Sequence, residues 1–572
     1  MQFSSTEHEP LRKKPEVAYF SMEIGFDSRI PTYSGGLGVL AGDTLRACAD
    51  LEVPIVGVTL LSEKGYFQQK IDDAGNQLES PVNWNVKELM QLKGVQGSIS
   101  IEGRQVRVGV WEHFLVGSTG FQVPIYFLDT NLAENDPSDR EYTCYLYGGD
   151  SRYRLIQELI LGVGGVRMLR ALGYLNTRKW HMNEGHAALL VMDLLAQERE
   201  RGTMESKLIE AVRKKCVFTT HTPVPAGHDQ FPLELVYRVL KGNFPEREIA
   251  AICSNGFLNM TQLALDHSEY INGVAKKHGE VSRHMFPGYH IDSITNGIRS
   301  SFWASEPMKK LFDSYLAGWN NDPFLLRNAL IIPQEELQQA HQEAKKLLME
   351  YVHNCGGDDF REDVFTIGFA RRAATYKRAE LLFRDPDRLI EIAEKVGSIQ
   401  IIYAGKAHPN DSGSKELIKR IIHTMKQLGE KIPSIYLADY DINLAKLLTP
   451  GVDIWLNTPR RPQEASGTSG MKACLNGVPN FSVLDGWWIE GHIEGITGWS
   501  IGSKLQKGAE EPSDDAKDVE DLYCKLEQVI LPLFYKNPVE WRRVMLQTIG
   551  INGSFFNSHR MVQQYVLRAY FS

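Results

Sequence analysis

The chain has 572 residues, with 63 Lys and Arg against 71 Asp and Glu, a formal charge of −8. Affinity for a phosphate backbone comes from clustered Lys and Arg, so a mildly acidic chain without a basic block is no general nucleic-acid binder. Apolar residues make up 43% of the chain, enough to fill large cores and exclude wholesale disorder, and no fixed-period repeat points to a solenoid or propeller.

The seven cysteines are odd in number, far apart and free of any CxxC spacing, which argues against a disulfide framework and a Cys-rich zinc site. The N-terminal MQFSSTEHEPLRKKPEV has basic residues but no apolar stretch after them, so no secretory leader is expected. No uncharged apolar run reaches the roughly 18 residues of a membrane span. The expectation is a soluble cytoplasmic protein that inserts in no membrane.

In chain order, short apolar runs predict strands at 17–20, 53–60, 123–128, 179–182, 217–220 and 291–295. Helical spacing of Leu155, Leu159, Val163, Val166 and Leu169 predicts a helix buried nearly all round. Period-two alternation at 97–114 around Glu102-Gly103 predicts a hairpin added to the main sheet. Pro333 opens a helix whose apolar stripe is Leu337, Ala340, Ala344, Leu347 and Tyr351. Further strands follow at 364–370, 400–404, 434–437, 452–456 and 480–483. Alternating strands and helices imply parallel sheets with right-handed crossovers, and these strands are too many for one sheet. Two α/β domains are expected, 1–297 and 298–555, with 556–572 a helix that packs back on the first. Ligands of such sheets bind beyond the carboxyl ends of the strands, which places a cleft between the domains.

Three loops and two histidine segments carry the chemistry. In EASGTSGMKACLNG, beginning at Glu464, the small residues Gly467-Thr468-Ser469-Gly470 feed a short helix that ends at Asn476-Gly477. Such a loop exposes backbone N–H groups and makes a phosphate cradle, with the Lys472 amine beside it; a plain capped helix with a surface lysine has the same pattern. RRAATYKR at 371–378 sets four cations at a strand's carboxyl end. Arg offers a planar fork and Lys a point charge to a phosphate dianion, although charge runs are commonly just solvated loops. YSGGLGVLAG at 33–42 lacks the GxGxxG spacing of a dinucleotide loop, which leaves an anion-binding helix start or a tight turn. WHMNEGHAALL and TTHTPVPAGHD follow predicted strands. His181 and His186 lie five apart across a turn and no HExxH occurs, so no metal is expected and these histidines read as hydrogen-bonding groups of a polar cleft. Asn296 marks a turn at the domain boundary.

Taken together these segments resemble the α-glucan phosphorylases, the glycogen, starch and maltodextrin phosphorylase family. EASGTSGMK…LNG…LDG is close to that family's cofactor signature. GGLG, NEGH, THTP, TNGI, YKR and GKAHP stand in the family's order, so the resemblance runs from about residue 16 to about residue 500. It implies a GT-B architecture, two Rossmann-like domains facing across a deep catalytic cleft, in a short form lacking the N-terminal regulatory segments. It implies pyridoxal 5'-phosphate on Lys472, its phosphate held by Gly467, Thr468 and Ser469 with Arg371, and a substrate phosphate held by Arg372, Lys377 and the Gly36 N–H. Glucose recognition falls to Glu464, Ser466, Asn296, Tyr440 and the His221 carbonyl, with His186 bordering the pocket. The implied reaction is retaining phosphorolysis: inorganic phosphate and an α-1,4-glucan give glucose-1-phosphate and a chain one unit shorter. A homodimer is among the assemblies the resemblance allows.

Some positions depart from the long enzymes of the family. Arg371 stands where those usually carry Lys, Ala374 where they carry His, the loop reads GTSGMK where they read GTGNMK, and Trp487-Trp488 follow LDG in place of smaller residues. Two other readings compete. A nucleotide-sugar-dependent retaining glucosyltransferase of the glycogen/starch synthase type shares the fold but needs a nucleoside diphosphate pocket and no covalent cofactor on Lys472. A non-catalytic glucan-binding protein is disfavoured because Lys472, Arg372, Lys377, Gly36 and Glu464 keep the residue types the chemistry needs.

Overall fold

The computed structural model describes residues 14–502 and 513–571; most of the N-terminal segment read as lacking a leader lies outside the described residues. Two separate sheets carry the architecture. The first has ten strands in the order Asp292–Ser293, Tyr270–Gly273, Cys216–Thr219, Lys179–Asn183, Val17–Phe20, Ile55–Leu60, Gln122–Asp129, Arg104–Val116 and Gln91–Leu92, with Gly97–Ile101 paired to Arg104–Val116. Its first seven neighbours run parallel and the hairpin strands antiparallel. The second sheet is parallel throughout, in the order Ser434–Leu437, Ile399–Ala404, Phe365–Ala370, Ile454–Asn457, Asn480–Val483 and Gly498–Ile501.

When parallel strands are numbered along the chain, each sheet reads 3-2-1-4-5-6, with a seventh strand added to the first sheet. That order reverses between strands 1 and 4, which opens a crevice at the carboxyl edge of each sheet. In the first sheet this point lies between Val17–Phe20 and Lys179–Asn183; in the second it lies between Phe365–Ala370 and Ile454–Asn457.

The central strands are apolar on both faces because helices cover both sides, as buried parallel strands require. Phe365–Ala370 and Ile399–Ala404 are buried along their whole length. The helical run through Leu155–Val166 is buried nearly all round, with a π-turn at Ile160–Gly164. The helix Gln334–Asn354 departs from its predicted stripe. Leu347 is 48% exposed, while Leu348, His341 and Lys345 are buried. The reason is electrostatic: the buried carboxylate of Asp453 accepts from Lys345 Nζ at 2.6 Å and pairs with His341 Nε2 at 3.0 Å, so that face of the helix must carry polar groups.

The last helix returns to the first sheet. Met561, Val562, Tyr565, Ala569 and Tyr570 pack in one cluster with Val17, Tyr19 and Ile55. The Tyr570 hydroxyl pairs with His181 Nδ1 at 2.7 Å, and Thr219 Oγ1 pairs with His181 Nε2 at 2.8 Å, so His181 is a satisfied core residue away from the site. Among the described residues no helix is long and apolar enough to cross a membrane.

Candidate active site

A cavity of about 910 Å³ opens where the carboxyl edges of the two sheets meet, lined by residues from both. The fourteen residues to which the resemblance gave a site role line it: Gly36, His186, His221, Asn296, Arg371, Arg372, Lys377, Tyr440, Glu464, Ser466, Gly467, Thr468, Ser469 and Lys472; the other two residues read as cleft groups, His181 and Arg378, do not. Both switch points feed it. Glu23, Glu184 and His186 follow the first sheet's central strands, and Arg371, Arg372 and Glu464 follow the second's.

Lys472 sits in the helix Ser469–Leu475, which the loop Gly467-Thr468 enters and Asn476-Gly477 closes with Gly477 at φ +77°. Its side chain is buried, and its Nζ stands 3.6 Å from the centroid of the Trp303 ring without a hydrogen bond among the described residues. Burial pulls the ammonium down to about 8, against the opposing charge of Asp43. The lysine is therefore no surface residue of a capped helix. Gly470 explains the loop's departure from the long enzymes: a Cβ there would lie 2.2 Å from Asn480 Oδ1 and 3.0 Å from the Trp487 ring. Trp487 and Trp488 are core residues beneath this helix and do not line the cavity, and the Trp487 N–H donates to the Ser466 carbonyl. Ser469 Oγ accepts from Trp455 Nε1 at 3.1 Å.

The four cations of 371–378 divide. Arg378 is structural: its guanidinium donates to the Thr458 and Pro459 carbonyls and pairs with Asp515 and Asp518. The four cations therefore do not act together on a dianion, as their clustering in the sequence suggests. Arg371 and Lys377 both reach Glu464, at 2.5 and 2.7 Å. Burial works against the Glu464 charge, yet Arg371 and Lys377 hold its carboxyl down at about 2. Arg372 is the exposed cation of the group, lining the cavity without a hydrogen bond or ion pair among the described residues.

On the opposite wall, Glu23 organises the glycine turn by accepting from the Ser34 and Gly35 N–H groups at 2.6 and 3.2 Å and from the Tyr147 hydroxyl at 2.9 Å. Gly36 then begins the helix Gly36–Asp50, so its N–H has no intrahelical partner, and a Cβ on Gly35 or Gly36 would meet nothing within 4 Å. The turn leaves open space at the cavity, whereas Gly42 is required by packing, its Cβ position being 2.0 Å from the Gly25 carbonyl. The His221 N–H donates to Glu184 at 2.7 Å, and burial pulls both His221 and His186 down to about 3, so both are neutral hydrogen-bonding groups. Asn296 Oδ1 and Ser466 Oγ are buried without partners. Glu158, His186 and Asp229 have a metal-like spacing, but the Arg154 guanidinium already lies between the two carboxylates, 2.9 Å from Glu158 and 3.0 Å from Asp229.

Sequence reasoning missed Glu23, Glu184, Asp43 and Trp303. Glu184 stands in NEGH near His186, which is the one signal the sequence carried; its φ of +81°, strained for a non-glycine residue, is visible in the fold alone. Asp43 and Trp303 carried none: they are 260 residues apart and meet only in the fold.

The fold and the cavity define an α/β protein whose two largely parallel sheets line one cavity, with a buried lysine that has no hydrogen bond among the described residues. Residues 243–495 match the model of the carbohydrate phosphorylases. The chain is 38% identical to the maltodextrin phosphorylase of Thermococcus litoralis, over 97% of this chain and 70% of that protein. It is 35% identical to the glycogen phosphorylase of Aquifex aeolicus, over 99% and 87%, and 35% identical to that of Mycobacterium tuberculosis, over 97% and 70%. The chain belongs to the carbohydrate phosphorylase family.

Proposed function

We propose that the chain is an α-1,4-glucan phosphorylase, a glycosyltransferase that moves the terminal glucosyl unit of a glucan to inorganic phosphate and releases glucose-1-phosphate. The observation that carries this is the meeting in one cavity of the buried Lys472 amine and the Arg372 guanidinium, which has no hydrogen bond or ion pair among the described residues. The relatives named above favour this reading over the nucleotide-sugar transferase.

The architecture is read as GT-B, with Rossmann-like domains at 1–297 and 298–555 and the segment 556–572 returning to the first. The shared strand order and the cavity lined from both sheets support this. The site residues fit pyridoxal 5'-phosphate: Lys472 offers an amine without a hydrogen bond, the buried Arg371 Nε has no partner, and the loop Gly467-Thr468-Ser469 borders the same space. Lys472 would hold the cofactor covalently, and Arg371 with that loop would hold its phosphate. When bound, the group supplies a second phosphate that exchanges a proton with the substrate phosphate.

The chain's own residues do the rest. Arg372, Lys377 and the Gly36 N–H bind the substrate phosphate and offset the repulsion between two phosphates held close together. The substrate phosphate gives its proton to the leaving glycosidic oxygen, and one of its oxygens then takes the anomeric carbon from the same face. Glu464, Ser466, Asn296, Tyr440 and His221 orient the sugar, with His186 at the border of its pocket. Enclosure keeps water from competing with phosphate. No carboxylate pair flanking the bond is needed, unlike a typical glycosidase. The test is phosphorus NMR of the purified protein with phosphate and a maltodextrin. Formation of α-glucose-1-phosphate supports the reading; transfer from a nucleotide sugar with no phosphate ester formed overturns it.

A further inference from the structure

Asp43 lies two turns into the helix Gly36–Asp50 and is buried, 2% exposed. Its Oδ2 accepts from Trp303 Nε1 at 2.7 Å and its Oδ1 has no side-chain donor among the described residues; burial pushes the carboxyl up, opposed by Lys472, Arg46, the Trp303 indole and the Arg299 backbone N–H. Trp303 ends the short helix Ser300–Trp303, just beyond the Asn296-Gly297 turn, and its ring face carries the Lys472 nitrogen at 3.6 Å. The indole thus works from both sides: its electron-rich face attracts the cation, and its polar N–H edge donates to the carboxylate. A buried carboxylate with no side-chain donor on one oxygen costs stability, which packing alone does not explain.

We propose that Asp43 is a positioning residue for Lys472: through Trp303 it fixes where the Lys472 nitrogen stands, and it supplies the buried negative charge against which that nitrogen holds a proton. The inference rests on the reading of Lys472 as the cofactor lysine. Asp43 is the charged group that acts on Lys472 directly. The other charges reach Asp43: Arg46, on the same helix, and Lys446, from the helix Ile442–Gly451. On the lysine's own helix the other ionisable group is the Cys474 thiol, which burial pushes up to about 12 and so leaves neutral. Removal of the Asp43 charge lowers the proton affinity of Lys472, so the neutral, nucleophilic amine appears at lower pH.

The test uses the full chain stripped of cofactor, with pyridoxal phosphate as the probe and borohydride as the trap. The amine nitrogen adds to the aldehyde carbon, water leaves with the aldehyde oxygen, and borohydride delivers hydride to the resulting C=N carbon while the nitrogen takes a proton. The readout is the mass increase on the Lys472 peptide against pH, with Lys472→Ala as the blank. The wild type labels half-maximally near pH 8. Asp43→Asn shifts that midpoint down by about one unit. Trp303→Phe keeps a ring face but removes the indole donor to Asp43 Oδ2, which favours protonation of the carboxyl and shifts the midpoint the same way. Circular dichroism checks that each variant is folded, and Trp303→Phe carries the test if Asp43→Asn is not. Folded variants with the wild-type midpoint overturn the inference alone. A wild type that takes no label at Lys472 overturns both the inference and the cofactor reading.

Discussion

Lys377 places its ammonium 2.7 Å from the carboxylate of Glu464, the same oxygen that accepts from Arg371. One buried acid thereby offsets two of the cavity's cations, and of the three cavity-lining cations of 371–378 Arg372 is left without a hydrogen bond or ion pair among the described residues. On the proposed reading, a phosphate pairs with Arg372 without displacing a carboxylate.

Arg372→Ala is therefore expected to raise the KM for phosphate by roughly 10- to 100-fold, the worth of a hydrogen bond to a charged group, about 1.5–3 kcal/mol. The KM for maltoheptaose should change little. Initial rates with each substrate varied in turn check this, and equal losses in both would remove Arg372 from the phosphate site.

Glu464 sets an acid limit on stability. Its carboxyl is held from 4.5 down to about 2, so its contribution is complete above pH 4.5 and is lost as the pH falls toward 2. That gap corresponds to roughly 3 kcal/mol. Melting temperatures between pH 6 and 3 should fall more steeply for the wild type than for Glu464→Gln, which has no carboxyl to protonate at that position. Parallel curves for the two proteins would mean that the ion pairs with Arg371 and Lys377 contribute nothing net.

A second buried pair lies away from the cavity. Lys345→Met leaves Asp453 with His341 and the Thr366 N–H but without its cation, and should cost about 3–5 kcal/mol of stability. The urea midpoint measures that loss. KM values of the folded variant should match the wild type, because neither residue lines the cavity.

Much of the fold was legible because buried parallel strands read as short apolar runs between breakers. The predicted strands at 17–20, 434–437 and 480–483 have the bounds of the observed ones. Tyr270–Gly273 and Gly498–Ile501 escaped notice, since the Asn and Gly of YING and the Gly and Ser of GWSI break the apolar run. Each pairs in parallel with a buried strand of the same length, Cys216–Thr219 and Asn480–Val483. In the helix Gln334–Asn354, apolar spacing pointed to Leu347, but the inward face is set by the need to neutralise Asp453. At the site, local segments announced Lys472 and the cations of 371–378 because their residue types and spacing are chemical in themselves. The Asp43–Trp303 pair could not be read that way, since its meaning lies in a contact made across 260 residues.

The most direct test of the account is phosphate-dependent release of glucose-1-phosphate from maltoheptaose and soluble starch by the wild type beside Lys472→Ala, each supplied with pyridoxal phosphate. The account predicts release by the wild type and loss of both cofactor retention and release in the variant. Appreciable phosphorolysis by Lys472→Ala, or none by the wild type on either glucan, would contradict it.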